Sequence, residues 1–238
     1  MKKKIVAFTL VIAMLAICFG ATLAYFTDTD EATNVFAIGN IAIDQNEWER
    51  DGEEIVEFTQ EKNVVPAVLK YLTKSDVTVD GYTFKIRSLE GNYIDKIVNV
   101  TNTGSNLAYV RTIIAIEDPF TINAISINAN DTNGVTQTNP KWITVEIGGT
   151  TYSVSAFTYN EALGKGQTTV PSLLQAYLKS VVTEEDCAAL NGTWEILALS
   201  QAVQTAGWEA AEGKTVAQTA LDTAFGEVNA ANVAEWVK

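Results

Sequence analysis

The chain has 238 residues, with 29 Asp and Glu against 16 Lys and Arg, and it contains no histidine. The formal charge of −13 disfavours nucleic acid and anionic membranes as partners, because both recruit basic patches. Without histidine the usual zinc ligand and general base are missing, so we expect no metal site, no cofactor and no enzyme activity.

The first 24 residues have the three parts of a secretory signal peptide. Residues 1–4 are basic, residues 5–20 are apolar, and small residues precede a cleavage site between Ala24 and Tyr25. This pattern predicts export and removal of residues 1–24 by signal peptidase. An uncleaved membrane anchor is the alternative, because the apolar character continues to residue 26. A lipoprotein signal at Cys18 fits less well, since a large Ile precedes it.

The exported chain keeps one cysteine and a strong negative charge. Cys18 lies in the leader, so Cys187 remains alone and no internal disulfide can form. Three acids directly before Cys187 would raise its pKa and blunt its reactivity, which favours a structural role over a redox role. Three lysines also lie in the leader, so 13 basic residues remain against 29 acidic ones, a charge of −16.

The N-terminal part of the exported chain is predicted to contain one strand. Residues 25–34 are acidic and polar, and Asp28, Asp30 and Glu31 could bind calcium, although such a run is more often simply solvated. Residues 35–44 (VFAIGNIAID) have the composition of a strand. Residues 46–54 are charged and are predicted to form a loop with an Asp-Gly turn.

The middle of the chain shows several hairpin signals. Asp80-Gly81 lies between β-rich runs in residues 77–88, and Gly148-Gly149 lies between residues 142–147 and 150–157. Residues 93–101 and 107–117 are predicted to form an antiparallel pair around a dense turn cluster. In that pair, Asp95 and Arg111 are expected to form a cross-strand ion pair.

Residues 172–183 and 193–201 predict two further strands, and the last part of the chain predicts two helices. Residues 214–225 have helical spacing with Thr215 as N-cap and Gly226 as the stop, and residues 229–237 form a second helix capped by Asn229. Many short strands separated by turns predict an all-β antiparallel sandwich. With no linker-like stretch in the sequence, we expect one domain.

Three blocks of sequence resemble a known family. The cleavage region at residues 21–28 (ATLAYFTD), followed by residues 36–41 (FAIGNI), is similar to the SipW-type signal and mature start of the TasA/camelysin family. Residues 95–104 with 108–112, and residues 196–204 with 220–226, resemble less characterised members. The middle third, Cys187 and the acidic tail depart from TasA itself.

The resemblance implies a jelly-roll β-sandwich exported to the extracellular matrix or cell surface. It implies that the chain is a subunit of biofilm-matrix fibres, and that these subunits join head to tail. The partners would be further copies of the chain or related fibre subunits. The chain would contact the membrane only before its leader is cleaved. Residues 25–45 would then be a donor segment and residues 46–238 the sandwich, with a helical region at about 207–238. The donated strand would use the following residues: Val35, Phe36, Ile38, Gly39, Ile41 and Ile43.

Two other functions remain open from the sequence. A monomeric extracellular adhesion or ligand-binding sandwich would have the same composition, with residues 25–44 paired to its own sheet. Camelysin-like members are described as metalloproteases, but a zincin site needs two histidines and a glutamate base. That site cannot exist in a chain without histidine.

Overall fold

A computed structural model describes residues 27–31, 41–51, 54–58, 73–79, 82–88, 93–117, 125–129, 134–138, 140–178 and 195–236. The leader, Cys187 and the predicted turn at 184–192 lie outside this part. The described part contains fourteen strands and two helices. They are β1 Thr27–Glu31, β2 Ile43–Asp51, β3 Glu54–Glu57, β4 Thr73–Val79, β5 Tyr82–Ser88, β6 Tyr93–Asp95, β7 Ile97–Asn102, β8 Ala108–Glu117, β9 Ile125–Ala129, β10 Val135–Gln137, β11 Ile143–Ile147, β12 Thr150–Tyr159, β13 Leu173–Leu178, β14 Ile196–Gln204, α1 Val216–Phe225 and α2 Ala230–Trp236.

All the strand pairs are antiparallel, as predicted for an all-β protein. The largest sheet has six strands in the order β1-β14-β8-β12-β10, and β11 also pairs with β12. Three smaller sheets have the orders β3-β2-β7, β6-β13-β9 and β4-β5. The two C-terminal helices are the only helices of the described part.

The central strand β8 of the six-stranded sheet is buried on both faces. Successive side chains of a strand point to opposite faces, and β8 is apolar at nearly every position (AYVRTIIAIE). Val110, Ile114 and Ile116 enter one core, while Ile113 and Ala115 enter another. The first core lies between this sheet and the β2–β7 pair, and the second lies beneath α2.

The local signals in the sequence are confirmed. The hairpin β11–β12 turns at Gly148 and Gly149, whose φ angles of 61° and 89° are those a two-residue turn of this kind requires. Val79 pairs with Tyr82, so β4 and β5 form the predicted antiparallel hairpin on either side of residues 80–81, which lie outside the described part. Helix α1 begins with a reciprocal capping box between Thr215 and Gln218.

The ends of both helices are also confirmed. Helix α1 stops at Gly226, which has a φ of 91° and donates its backbone N–H to the Asp222 carbonyl. Before α2, the Asn229 side chain accepts a hydrogen bond from the Asn232 backbone at 2.9 Å.

Two predictions about the strands are wrong. Residues 46–51, predicted as part of a loop over 46–54, form no loop, because β2 continues to Asp51 and pairs with both β7 and β3. Its polar residues have cross-strand partners: Asn46 donates to Thr101 at 3.1 Å and Trp48 to Asn99 at 3.4 Å. Polar composition alone therefore did not indicate a loop here.

The predicted antiparallel pair over residues 93–117 is wrong as well. The first strand is divided at Lys96 into β6 and β7, which belong to different sheets. Strand β7 pairs with β2, while β8 lies between β14 and β12 in the large sheet. The turn at residues 103–107 thus carries the chain across the sandwich, because each strand has an apolar face that packs in the same core.

Candidate functional site

The outer edge of the six-stranded sheet is formed by β1 on β14. Five register pairs join them, from Thr27 opposite Val203 to Glu31 opposite Leu199. In the described part of the chain, β1 pairs with no strand but β14. A strand at this position is held by backbone hydrogen bonds along one side only, so an equivalent strand can take its place.

Strand β14 has the side chains needed to be buried on both faces. Ala202 packs in the first core, and Leu199 and Val203 lie on the helical side. Beyond the end of β1, the Gln45 side chain donates a hydrogen bond to the Ala198 carbonyl at 3.1 Å. The register places Asp28, Asp30 and Glu31 of β1 opposite Ala202, Ser200 and Leu199.

The structure describes two of the residues predicted to form the donor strand. Ile41 and Ile43 are fully buried in the first core of their own chain, and Ile43 starts β2. The remaining predicted residues lie outside the described part, namely Ala24, Tyr25, Val35, Phe36, Ile38 and Gly39. The strand described at the sheet edge is β1, which lies within the predicted donor segment 25–45 but precedes the predicted strand at residues 35–44.

The C-terminal helices are held on the six-stranded sheet by Arg111 of β8. Its side chain is 1% exposed. Nε donates to Gln201 at 2.7 Å, Nη1 to Asp222 at 2.8 Å and Nη2 to the Gly226 carbonyl at 3.0 Å. The Trp236 ring covers the guanidinium, with its centroid 4.8 Å from Cζ. One cation thus binds a neighbouring strand and both helices.

The ionisation of this region follows from burial. Desolvation lowers the pKa of Arg111 to about 10, although the Asp222 carboxylate opposes the shift. Lys214 also binds Asp222, at 2.9 Å, and binds Glu227 at 2.6 Å. The hydrogen bond to Glu227, followed by that to Asp222, raises the pKa of Lys214. Arg111 therefore remains charged at neutral pH.

The predicted ion pair of Asp95 with Arg111 is wrong, because those residues lie in different sheets and Arg111 pairs with Asp222. The true partners are 111 positions apart, beyond the reach of strand patterning. Asp222 stands next to the buried Leu221 in α1. The sequence contained one signal for this contact: Asp222 lies beside the apolar stripe of the amphipathic helix α1, where it can face a buried cation such as Arg111.

The described part of the chain contains neither a cluster of metal ligands nor a membrane-spanning helix. No three Cys, Asp or Glu side chains converge there as metal ligands. In the same residues, no helix has the length and apolar character to cross a bilayer. Comparisons with protein-family models, curated proteins and solved structures found no match to this chain.

Proposed function

We propose that the chain is a secreted structural subunit of extracellular biofilm-matrix fibres, whose subunits join head to tail by donating the N-terminal strand. The observation that carries the proposal is the place of β1, which pairs only with β14 among the described strands and forms a sheet edge. Residues 32–40 separate it from Ile41, the first residue of the described core.

Strand exchange at this edge is energetically inexpensive. When β1 of one subunit replaces β1 of the next, the same five register pairs form with the same backbone hydrogen bonds. Such exchange of identical elements is a low-cost route to assembly, and a head-to-tail exchange that does not close produces a filament. Nine connecting residues can extend over about 30 Å, which permits β1 to reach a neighbouring subunit.

The burial of Ile41 and Ile43 limits the segment that can be donated. Both side chains lie in their own core, so moving them into a neighbour would open two cavities. The donated part therefore ends before Ile41, and the exchanged strand is β1. A deletion reaching residue 44 would damage the fold, whereas deletion of residues 25–31 leaves the buried residues Ile41 and Ile43 in place.

The deletion experiment compares processed protein with and without residues 25–31 by electron microscopy and circular dichroism. We expect the shortened protein to keep its β-sheet spectrum and cooperative unfolding but to form no fibres. As a matched pair, Asp28→Pro and Thr29→Pro should differ in effect, because adjacent N–H groups of an edge strand point in opposite directions and only one faces β14. Ordinary fibres from the deletion variant would refute strand donation.

Salt provides a second test of assembly. Each exported subunit carries about −16 by its composition, so stacking brings like charges together, and the Debye length falls from ~30 Å at 0.01 M salt to ~8 Å at 0.15 M. Fibre growth followed by light scattering should therefore accelerate with salt. With no histidine, growth should change little between pH 7 and 6 and rise below about pH 5, as carboxylates protonate. Fibres that dissolve as salt rises would contradict this.

The second candidate is a monomeric extracellular adhesion or ligand-binding sandwich. It is favoured by the fact that β1 can complete the sheet of its own chain. Under this alternative, processed protein would sediment as a monomer at every salt concentration and would lose solubility near its pI without ordered fibres. That pI lies below the value of 4.4 for the full sequence, because three lysines leave with the leader.

A further inference from the structure

Lys96, between β6 and β7, is buried beside a carboxylate. Lysine is seldom buried unless it is paired, and the side chain of Lys96 is 6% exposed. Its Nζ contacts Oε2 of Glu47, whose side chain is 20% exposed. The Phe58 ring lies over the amine with its centroid 4.0 Å from Nζ, which shields it from water.

The backbone holds both groups in place. Six register pairs join β2 to β7, with Glu47 opposite Val98, so Lys96 lies diagonally across from the carboxylate. The Phe58 backbone N–H donates to the Glu47 carbonyl at 2.9 Å, which fixes the aromatic ring over the same site.

A third side chain, Gln45, orients the carboxylate. Its Nε2 donates to Oε1 of Glu47 at 3.1 Å, so Oε1 is bound by an amide while Oε2 faces the lysine. Gln45 is itself fixed, because its Oε1 accepts a hydrogen bond from Ser200 at 2.6 Å and its Nε2 also donates to the Ala198 carbonyl. A donor held in advance on one carboxyl oxygen stabilises negative charge that develops there during acyl chemistry.

We propose that Lys96 and Glu47 condense into an intramolecular isopeptide bond. The ammonium first gives a proton to Oε2, and the neutral Nζ attacks Cδ of Glu47. As the tetrahedral centre forms, charge on Oε1 is met by the Gln45 amide. A second proton then passes from Nζ to Oε2, the Cδ–Oε2 bond breaks, and one water molecule leaves. The product is an amide between Nζ and Cδ, formed without any oxidant or co-reactant.

Placement lowers the barrier that this reaction faces in water. A well-oriented pair within one molecule reacts with an effective molarity of up to about 10⁵–10⁸ M. The bond would close a loop across 49 positions of sequence, and it would restrict the unfolded chain as a disulfide does. The sequence outside the leader has one cysteine and no disulfide of its own.

The test is the intact mass of the purified, folded full chain and its peptide map. We expect a mass lower than the sequence mass by one water molecule, and a branched peptide that joins the segments containing Lys96 and Glu47. Lys96→Arg and Glu47→Ala should each restore the full mass, while Lys165→Arg, at an exposed lysine, should retain the loss. Glu47→Gln should lose ammonia instead of water and give the same branched peptide.

Wild-type protein with its full sequence mass, and with the two segments recovered as separate peptides, would overturn the proposal and leave an ion pair. The wild-type measurement decides the question even if a variant fails to fold. It is also independent of fibre formation, because the bond joins two strands of one subunit.

Discussion

The two ends of the chain cover the same six-stranded sheet by different means. At the N-terminus, β1 extends the sheet by backbone pairing with β14 alone. At the C-terminus, the helices lie on its face and are fastened by Arg111 through Gln201, Asp222 and Gly226. Backbone pairing can be supplied equally well by another copy, whereas a buried guanidinium needs one specific set of partners. We therefore call the N-terminal strand β1 the exchangeable end and the C-terminal helices the fixed end.

The largest expected effect comes from removing the fixed end. Deletion of residues 229–238 removes α2, whose Val233 is fully buried in the second core. Burial of the Val233 side chain alone contributes about 1.5–3 kcal/mol. The packing of Ala234 and Trp236 on the same core is lost as well, together with the Trp236 cover of Arg111, so the total loss should exceed that of any single substitution. We expect a large fall in the urea midpoint, whereas deletion of residues 25–31 should lower it less. Equal effects of the two deletions would remove the contrast between the ends.

A single substitution at Arg111 should have the next largest effect. Arg111→Ala removes one partner of a buried ion pair and leaves the Gln201 and Gly226 oxygens without their donor, which typically costs about 3–5 kcal/mol. Urea unfolding measures this loss, and Lys214→Ala serves as the control at the exposed side of the same carboxylate. A loss below about 1 kcal/mol would show that the guanidinium does not hold the helical layer.

Two buried tyrosines should make the free energy of unfolding depend on pH in the alkaline range. Burial raises the pKa of Tyr159, and burial with a hydrogen bond to Glu195 raises that of Tyr152. The unfolded state therefore releases these protons first, and the free energy of unfolding should fall as pH rises above about 10. Arg111 opposes this above about pH 10, since its lowered pKa makes the unfolded state the better proton binder. Lys214, whose pKa is raised by its carboxylate partners, acts in the same direction as the tyrosines. Three groups against one predict a net fall.

Tyr159→Phe isolates one of these contributions. Among the described residues the Tyr159 hydroxyl has no hydrogen-bond partner, although Thr112, Thr169 and Ser172 lie near enough to affect its pKa. Removing an unpaired buried hydroxyl should leave stability at neutral pH unchanged or raise it by up to about 1–2 kcal/mol. The alkaline fall in unfolding free energy should become shallower. An unchanged pH dependence would contradict the burial argument.

The smallest effect is expected at the exposed end of the Arg111 cluster. Lys214 binds Asp222 and Glu227 near the surface, with 32% of its side chain exposed. Exposed ion pairs contribute at most about 1 kcal/mol and are screened by salt. Lys214→Ala should therefore lower the urea midpoint slightly at low salt and hardly at all at high salt. If Lys214→Ala lowers the free energy of unfolding as much as Arg111→Ala does, then Lys214, not Arg111, holds the helical layer on the sheet.

Features that depend on neighbouring residues could be predicted from the sequence. The Gly148-Gly149 turn and the Thr215 and Asn229 caps follow from local backbone chemistry, and all are present. The all-β antiparallel class follows from many short runs with turns between them.

Features that depend on distant partners could not be predicted. Both β7 and β8 are apolar strands joined by a short turn, and nothing in their patterns indicates that the turn crosses between sheets. Strand β2 is charged and resembles a loop, because the residues that pair with its polar side chains lie some 50 positions later. The partner of Arg111 in α1 is more distant still.

The most direct test of an exchangeable N-terminus is a disulfide trap between β1 and β14 in assembled protein. Asp28 with Ala202 and Thr27 with Val203 are neighbouring register pairs. One of the two must be a non-hydrogen-bonded pair, whose Cα separation of about 4.5 Å suits a disulfide. Each pair is changed to Cys in a Cys187→Ser background, assembled and then oxidised. Strand donation predicts a ladder of covalent multimers on a non-reducing gel. Fibres that yield only internally crosslinked monomers would contradict it.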